Sequence, residues 1–267
     1  MIHLRSVALK PGTGRTDRFP FSVPAIRELS TLTFDSPVTF LVGENGSGKS
    51  TLLEAIATAA RVPTVGSAEI AVDATLAVQR DLARALTLVW NRRVTRGFFL
   101  RAEDFFGFTK SLSRLRSELL AELDQIGDEY ADRSAHAQGL RAGPIHASLA
   151  DMERRYGIDL DANSHGQSFL KLFQNRFVPG GLYLLDEPEA PLSPQSQLGL
   201  IAMMKDMLTQ DAQFIVATHS PVLLAYPGAQ IYSFDETPVR AVPYDSLEHV
   251  TLTRDFLRDP ERFLRHL

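Results

Sequence analysis

The sequence predicts an α/β protein with one core and an inserted helical lobe. Two segments, one before about residue 73 and one after about residue 160, alternate apolar strand patterns with amphipathic helices. The segment between them is mainly helical in its pattern. The chain has 267 residues, of which 44% are hydrophobic, and this suffices for one sizeable core with a smaller lobe. We therefore expect a single domain over residues 1–267, with the lobe inserted at about 73–160.

The first α/β segment begins with two strand patterns. The stretch IHLRSVAL alternates in polarity, and STLTFDSPVTFLVG joins an alternating run to a fully apolar run at 38–42. A glycine-rich turn follows, and then KSTLLEAIATAA, which has the composition of a helix. The order of buried strand, glycine-rich loop and helix is the context that a phosphate-binding loop requires.

The loop itself carries the spacing G-x-x-x-x-G-K-S, here called the phosphate loop (residues 43–50). Its glycines permit backbone angles that other residues resist, so that main-chain amides can point at phosphate oxygens. We expect Lys49 to reach the β- and γ-phosphates and Ser50 to hold Mg²⁺. An ordinary glycine-rich loop is the competing interpretation, which the full spacing and both flanking elements disfavour. The predicted nucleotide-binding residues are Gly43, Asn45, Gly46, Ser47, Gly48, Lys49, Ser50 and Thr51.

The middle of the chain is predicted to be mainly helical. The stretch DATLAVQRDLARALTLVW (73–90) has the pattern of a long apolar-faced helix. The stretch KSLSRLRSELLAELDQI (110–126) places its leucines at helical spacing. Between them, RGFFLRAEDFF (96–106) predicts a short strand that leads into a turn.

The second α/β segment contains two buried strands that end in polar residues. GLYLLDEP brings Asp186 and Glu187 to a strand end, where the first carboxylate suits Mg²⁺ and the second suits polarisation of an attacking water. AQFIVATHSP brings His219 to a similar position, where a phosphate-sensing role is favoured. Two solvated acids and a structural histidine are the alternative interpretations.

The rest of this segment is predicted as one more helix, two further strands and a short terminal helix. The helix is SPQSQLGLIAMMKDML, with Ser193 as its cap and Pro194 in its first turn. The strands are AQIYSFDE and VRAVPY, and Asp259 with Pro260 opens the terminal helix. Earlier, ANSHGQSFL (162–170) begins in small polar residues and runs into a helix, which gives an anion-binding end. Alone this is weak, because many helices begin with Asn, Ser or Gly.

In their order along the chain, these motifs resemble those of ABC-type ATPases, the nucleotide-binding heads of transporters and of the SMC/RecF group. GENGSGKST matches their Walker A motif, LYLLDEP their Walker B motif and ATHSP their switch-histidine loop, and NSHGQ lies where they carry the LSGGQ signature. The order Walker A, signature, Walker B and histidine is specific to that family. The resemblance extends from about Ile2 to Phe234.

The resemblance implies a P-loop NTPase fold: an ABC-ATPase head with a mixed central sheet, an antiparallel β subdomain and an inserted helical lobe. It implies ATP and Mg²⁺ as cofactors, with Ser50 and Asp186 on the metal, Glu187 as catalytic base and His219 as γ-phosphate sensor. It further implies a homodimer that sandwiches two ATP molecules, each between one subunit's phosphate loop and the other's signature. The signature residues acting on the partner's nucleotide are Ser164, His165, Gly166 and Gln167.

The sequence departs from the transporter pattern at three places. His165 replaces a glycine of the signature, and Ser193 stands where transporters carry an aspartate after Walker B. The glutamine of the Q-loop is not evident; Arg101 and Glu103 are the candidate substitutes, and Gln79 is a poorer one because it lies in a helical run. The DEPEA loop is more similar to the RecF and OLD-type ATPases, and the chain has no long coiled coil between its motifs.

Composition limits the function classes. The net charge of −4 and the pI of about 6.0 disfavour a general binder of nucleic acid or membranes. The absence of cysteine excludes disulfides and thiolate metal sites and fits a cytoplasmic protein. The N-terminus has no signal-peptide pattern, and no apolar run approaches the roughly 20 residues of a membrane span, so we expect no direct membrane insertion.

Three hypotheses for the function follow. The first is an ATPase of DNA repair, genome maintenance or defence, with DNA and a second protein as candidate partners. The candidate DNA contacts are the clustered arginines Arg92, Arg93, Arg96 and Arg101, although solvated or paired arginines are the favoured interpretation at this net charge. The second is the ATP-binding subunit of a membrane transporter. The third is a nucleotide-dependent switch or scaffold that does not hydrolyse ATP. It is disfavoured because Lys49, Asp186, Glu187 and His219 are all present.

Overall fold

The computed structural model describes residues 1–13, 17–65, 77–129, 135–156 and 165–265. Its main sheet is mixed and has the strand order β5-β6-β7-β3-β8-β9, in which only the β8–β9 pair is antiparallel. This confirms the predicted mixed central sheet. The strands are β3 (Val38–Val42), β5 (Gly97–Arg101), β6 (Leu182–Asp186), β7 (Gln213–Ala217), β8 (Gln230–Ser233) and β9 (Arg240–Ala241).

A second, antiparallel sheet has the order β2-β1-β4 and packs beside the main sheet. Its strands are β1 (Leu4–Leu9), β2 (Thr31–Thr33) and β4 (Leu86–Trp90). The predicted antiparallel subdomain is thereby confirmed.

The helices lie on both faces of the main sheet. They are α1 (Pro24–Arg27), α2 (Lys49–Ala60), α3 (Ala77–Ala85), α4 (Ala102–Glu129), α5 (Ala135–Tyr156), α6 (His165–Arg176), α7 (Pro194–Leu208), α8 (Pro221–Leu224), α9 (Glu248–Arg258) and α10 (Pro260–Leu264). The predicted caps are present: Ser193 Oγ accepts from Ser196 N at the start of α7, and Asp259 Oδ1 accepts from Arg262 N at the start of α10, both at 3.2 Å. No helix in the described ranges is both long and apolar enough to cross a bilayer.

The central strands are buried on both faces, so apolar residues occupy most of their consecutive positions rather than alternate ones. Successive side chains point to opposite faces. Phe40 joins the apolar cluster under α6 and α7, whereas its neighbour Leu41 joins the cluster under α2 and β1. Tyr183 and Leu184 divide between the two clusters in the same way. This double coverage explains the uninterrupted apolar runs that the sequence shows before each motif.

The prediction of one long helix over 73–90 is wrong at its C-terminal end. Leu86–Trp90 is strand β4, which pairs with β1 from Leu4↔Trp90 to Leu9↔Leu86. Its residues alternate in exposure, and two of them, Thr87 and Val89, are β-branched. Pairing with β1 overrides the helical pattern that continues from α3. Residues 66–76, which hold the start of that prediction, lie outside the described residues.

The strand predicted in RGFFLRAEDFF is confirmed as β5, but the turn after it is wrong, because α4 begins directly at Ala102. Two strands, β4 and β5, thus lie within the range predicted for the helical lobe and are hydrogen-bonded into the two sheets. The helical part of that range is α4 and α5, which share a small core of Ile126, Ile145 and Leu149. Both predicted limits of the lobe fall on residues outside the described ranges.

Gln213 joins the two sheets. It lies on β7, is fully buried, and its Oε1 accepts from His3 N at 2.9 Å and from Leu4 N at 2.8 Å. Its Nε2 donates to Leu4 O at 2.9 Å. One side chain therefore satisfies three main-chain groups at the start of β1.

We expect Gln213→Leu to lower the free energy of unfolding by about 3 kcal/mol or more, because each buried main-chain group left unpaired costs about 1–3 kcal/mol. Urea denaturation followed by circular dichroism measures the change. The matched control is Gln210→Leu, since Gln210 is exposed and its loss should cost less than about 0.5 kcal/mol. Equal effects of the two substitutions would contradict this role of Gln213.

Candidate functional site

The phosphate loop connects β3 to α2 and depends on glycine at two crowded positions. Gly43 has φ +147°, and a Cβ there would lie 3.0 Å from the Cβ of Phe234. Gly48, the N-cap of α2, has φ +103°, and a Cβ there would lie 2.9 Å from Cγ1 of Val23. Positive φ and close neighbours both exclude larger side chains. The loop is therefore held in one conformation, with α2 starting at its end.

Lys49 is the first residue of α2, and its side chain folds back over the loop. Its Nζ donates to Gly43 O at 2.6 Å and to Glu44 O at 2.9 Å, and the residue is only 4% exposed. Burial lowers the pKa of Lys49, and the negative charges of Glu187 and Asp186 partly oppose that shift. The loop carbonyls thus satisfy a buried ammonium group.

Ser50 and Asp186 meet although they come from different parts of the chain. Ser50 Oγ donates to Asp186 Oδ1 at 2.9 Å. Asp186 is the last residue of β6 and is 3% exposed. Burial raises the pKa of Asp186 to about 6, against the opposing effects of the Ser50 hydrogen bond and the Arg101 charge. The predicted metal pair is therefore in contact.

Arg101 lies next to this pair, at the end of β5. Its guanidinium makes an ion pair with Glu54 of α2, and its Nε lies 3.6 Å from Asp186 Oδ2. A cavity of about 150 Å³ is lined here by Ser50, Arg101, Ala102, Glu103, Asp186 and Glu187. Arg101 and Glu103, the two favoured substitutes for the Q-loop glutamine, thus both border the predicted metal position. Gln79 is in α3, and its side chain is outside the described part of the structure.

Glu187 and His219 face each other across the ends of β6 and β7. Glu187 has φ +50°, a left-handed conformation that is uncommon outside glycine, and its N–H donates to Ala217 O at 2.9 Å. Its Oε1 lies 4.0 Å from His219 Nε2. That nitrogen is buried and has no hydrogen-bond partner among the described residues. Burial and the Lys49 charge lower the pKa of His219, so its ring is neutral at pH 7.

Glu189 is a residue that the sequence interpretation missed. Its Oε1 accepts from the backbone N–H of His219 at 2.7 Å and so connects the loop after β6 to the loop after β7. Burial raises the pKa of Glu189, while hydrogen bonds from Thr218 and His219 oppose the shift. The available signal was the second glutamate of DEPEA, which has no apparent role until its partner loop is located.

Asp235 and the C-terminal helix were also missed. Asp235 Oδ1 accepts from Glu44 N at 2.7 Å and so holds the phosphate loop from the side of β8. A cavity of about 600 Å³ extends from Gly43 and His219 to Leu247 and His249 at the start of α9. Nothing in the sequence indicated that the C-terminal segment would border the loop.

The remaining predicted residues are more peripheral. Asn45 and Gly46 are exposed at the tip of the phosphate loop, whereas Ser47 and Thr51 are half-buried. Ser164 lies outside the described residues. The other three signature residues form the first turn of α6, and their side chains are outside the described part as well.

The parallel sheet brings these groups together, since ligands of such sheets bind beyond the carboxyl ends of the strands. The oxygen donors of Ser50 and Asp186 suit Mg²⁺, which takes few protein ligands and keeps phosphate and water oxygens in the rest of its shell. No group of three or more His, Cys, Asp or Glu able to hold a metal occurs in the ranges that the structure covers. The donor set therefore fits a cation shared with a phosphate ligand.

Comparison with known protein families gives a clear assignment. The family described as "AAA domain, putative AbiEii toxin, Type IV TA system" matches residues 38–150 and 172–225, well over half of the chain. The chain belongs to this family. It is an ATPase-type protein of the AAA and ABC class, and the predicted recognition and α/β P-loop fold are confirmed.

The curated relatives are ATP-binding proteins of transporters. The chain is 26% identical to the ribose import ATP-binding protein RbsA 2 of Burkholderia ambifaria over 211 residues, which are 74% of this chain and 37% of that protein. It is 28% identical over 225 residues to the mycobactin import ATP-binding/permease protein IrtA of Mycolicibacterium thermoresistibile, covering 81% of this chain and 22% of that protein. The chain thus spans only a minor part of the length of these relatives.

Solved structures with a similar fold include a nucleotide-free ATP-binding cassette of an ABC transporter, with a TM-score of 0.46 and 16% identity over 98% of this chain and 97% of that one. An Smc head domain of Pyrococcus furiosus bound to the C-terminal domain of ScpA gives a TM-score of 0.43 and 14% identity, over 97% of this chain and 100% of that one.

Buried Asp186 should make the site a source of instability that depends on pH. Its pKa is 3.8 in the unfolded chain and about 6 in the fold, so the folded protein binds the extra proton between these values. Burial of the Asp186 carboxylate therefore lowers the free energy of unfolding by its full amount above about pH 6. It has no effect below about pH 4, where the carboxyl is protonated in both states. We expect Asp186→Asn to raise the free energy of unfolding of the metal-free protein at pH 8 by about 3 kcal/mol, because each unit of raised pKa corresponds to about 1.4 kcal/mol.

Urea denaturation in EDTA at pH 8 and at pH 5 measures this gain, which should be clearly smaller at pH 5. Glu187→Gln is the matched control, since the Glu187 side chain is 46% exposed and should change stability little at either pH. A gain from Asp186→Asn that is the same at both pH values would rule out the burial of the charged carboxylate as its cause.

Proposed function

We propose that this protein binds and hydrolyses ATP with Mg²⁺ and works in the cytoplasm as a homodimer that ATP closes. The observation that carries the proposal is the contact between Ser50 Oγ and Asp186 Oδ1, with Lys49 on one side and the Glu187–His219 pair on the other. These groups supply a phosphate-binding amine, a metal pair and a base within one edge of the sheet. That is the set of groups that hydrolysis of a nucleoside triphosphate requires.

The phosphate loop would bind the nucleotide through its main-chain amides. The N-terminus of α2 adds partial positive charge at the same place. Lys49 would exchange its loop carbonyls for β- and γ-phosphate oxygens, and this exchange costs little because its buried ammonium stays hydrogen-bonded throughout. Ser50 and Asp186 would hold Mg²⁺, which, when bound, neutralises the charge that develops on the phosphates.

Glu187 would act as the general base toward water. Its left-handed backbone turns the carboxylate out of β6, and its side chain is half-exposed, so it can accept a proton from a water in front of the site. A neutral His219 ring has one donor and one acceptor nitrogen. With its Nε2 otherwise unpartnered, His219 would donate to the γ-phosphate and report its presence.

The second half of each site would come from the partner subunit. Ser164, His165, Gly166 and Gln167 lie just before and in the first turn of α6, whose N-terminus would face the γ-phosphate of the other protomer. This attraction exists only while the γ-phosphate is present, so hydrolysis would release the dimer. The proposal of a dimer is supported by the resemblance of the motifs to ABC-type heads.

Defence is the process that the family description favours within the first hypothesis, since it names a toxin of a toxin–antitoxin system. DNA and a second protein remain the proposed partners. A transporter's ATP-binding subunit is the second candidate, because the curated relatives are ATP-binding proteins of importers and of an exporter. In that case a separate membrane subunit would receive the motion of the head.

Glu187→Gln should lower kcat for ATP by about 10²- to 10⁴-fold, the usual contribution of a general base, and leave ATP binding intact. Phosphate release and binding of a fluorescent ATP analogue measure the two effects. The matched control is Glu261→Gln on the exposed surface of α10, which should change neither. A Glu187→Gln protein with wild-type turnover would exclude Glu187 as the base.

The same variant tests the dimer, because it should retain ATP. We expect Glu187→Gln to elute as a monomer without nucleotide and as a dimer with ATP and Mg²⁺ in size exclusion with light scattering. The double variant Glu187→Gln/Lys49→Ala should stay monomeric, since it lacks the phosphate contact. Persistence of the monomer with ATP demonstrably bound would refute the sandwich arrangement.

ATPase rates with and without double-stranded DNA should separate the two candidate processes. A DNA-coupled ATPase should be stimulated at about 50 mM salt, and the stimulation should fall steeply at about 200 mM. A rate that ignores DNA at low salt would favour the transporter candidate instead.

A further inference from the structure

Arg101 is a charged residue of this site to which the proposed mechanism assigns no role. Its side chain lies between two carboxylates from different elements, Glu54 of α2 and Asp186 of β6. The two carboxylate side chains are 8% and 4% exposed, whereas that of Arg101 is 30% exposed. Buried charges are tolerated only when they are paired. One guanidinium therefore balances two buried carboxylates.

The contacts divide unequally between the two carboxylates. Asp186 has one oxygen engaged by Ser50, and its other oxygen lies 3.6 Å from Arg101 Nε. The pairing with Glu54 uses a different nitrogen, the terminal Nη2. Arg101 can therefore release Asp186 without losing its buried partner.

The position of Arg101 in the chain connects this contact to the helical segment. Arg101 is the last residue of β5 and is in register with Asp186 on β6. The next residue, Ala102, starts α4, the 28-residue helix that packs against α5. Arg101 therefore directly precedes the first turn of α4, so a movement of its side chain occurs next to the start of that helix.

We propose that Arg101 is a positioning residue that holds the Asp186 carboxylate while the site is free of metal. When a divalent cation binds at Ser50 and Asp186, Arg101 pairs with Glu54 alone. This movement of the Arg101 side chain shifts the start of α4. The physical reason is that guanidinium and cation carry like charges and compete for the same carboxylate. This inference rests on the proposed function, because it presumes that Mg²⁺ enters with the nucleotide.

The test measures metal binding directly, with Mn²⁺ as the probe. Free Mn²⁺ is quantified by electron paramagnetic resonance at pH 8, on protein loaded with non-hydrolysable ATP analogue from which unbound nucleotide has been removed, because free nucleotide would itself bind Mn²⁺. Among the acids that the structure describes, Glu54→Gln leaves only Asp186 paired with Arg101, so Mn²⁺ should bind about 10-fold more weakly than in the wild type. The double variant Arg101→Gln/Glu54→Gln removes the competitor together with its counter-charge, so Mn²⁺ should bind about 10-fold more tightly.

The double variant also avoids the unpaired buried Glu54 that could prevent Arg101→Gln alone from folding. The matched control is Arg96→Gln, since Arg96 is exposed just before β5 and should leave Mn²⁺ binding unchanged. Hydrogen exchange supplies a second readout. Amides at the start of α4 should change their exchange on addition of the Mn²⁺–nucleotide complex in the wild type but not in the double variant.

Opposite changes of Mn²⁺ affinity in Glu54→Gln and in the double variant would support competition between Arg101 and the cation. A merely structural ion pair would not produce opposite changes. Wild-type Mn²⁺ affinity in both variants would overturn the inference while leaving the proposed ATPase intact. Failure of the wild type itself to bind Mn²⁺ with the nucleotide, or binding that survives Lys49→Ala, would overturn the proposed function.

Discussion

The register of the parallel sheet is the constraint on which the rest of the site depends. Asp186 is level with Arg101 on one side and with Ala217 on the other, and Ala217 is level with Leu41 of β3. The phosphate loop, Glu187 and His219 each begin one or two residues beyond this row. A slip of one residue would turn every side chain of a strand to the opposite face, so the buried apolar runs of the strands also determine where the charged groups stand.

The charged groups at this edge are held at a cost to the fold. Lys49, Asp186 and Glu54 are all buried, and burial raises the pKa of Asp186 and lowers that of Lys49. Burial of these charges is tolerated because each has a partner: loop carbonyls for Lys49, and Ser50 and Arg101 for the acids. Such sites commonly trade stability for readiness to bind a charged ligand. A phosphate has the charge that suits Lys49, and a divalent cation has the charge that suits Asp186.

Loops from distant parts of the chain support the phosphate loop. Asp235 contacts the backbone of Glu44 from β8, and Glu189 contacts the backbone of His219 from the loop after β6. Both supports are carboxylates that accept from main-chain N–H groups, which orients a loop without adding apolar bulk. The left-handed backbone of Glu187 belongs to the same scaffold, because its N–H is held by Ala217. The site is thus a rigid frame of main-chain contacts.

The sequence by itself was sufficient for most features that depend on neighbours along the chain, although the turn predicted after β5 was wrong. The glycines and Lys49 of the phosphate loop, the apolar runs before Asp186 and His219, and the caps at Ser193 and Asp259 are local patterns with local physical causes. From them the α/β class and the order of the motifs could be predicted, whereas the mixed sheet was implied by the resemblance of those motifs to ABC-type ATPases.

Only the tertiary structure decided which distant groups meet. The pairing of Arg101 with Glu54 and Asp186 and the link from Gln213 to β1 join residues with no periodicity in common. The strand at Leu86–Trp90 also arose from tertiary pairing, because β1 offers a free edge that local helix propensity cannot anticipate. Propensity acts over a few residues, whereas the pairing of buried charges and strand edges is determined by which elements the whole fold brings into contact.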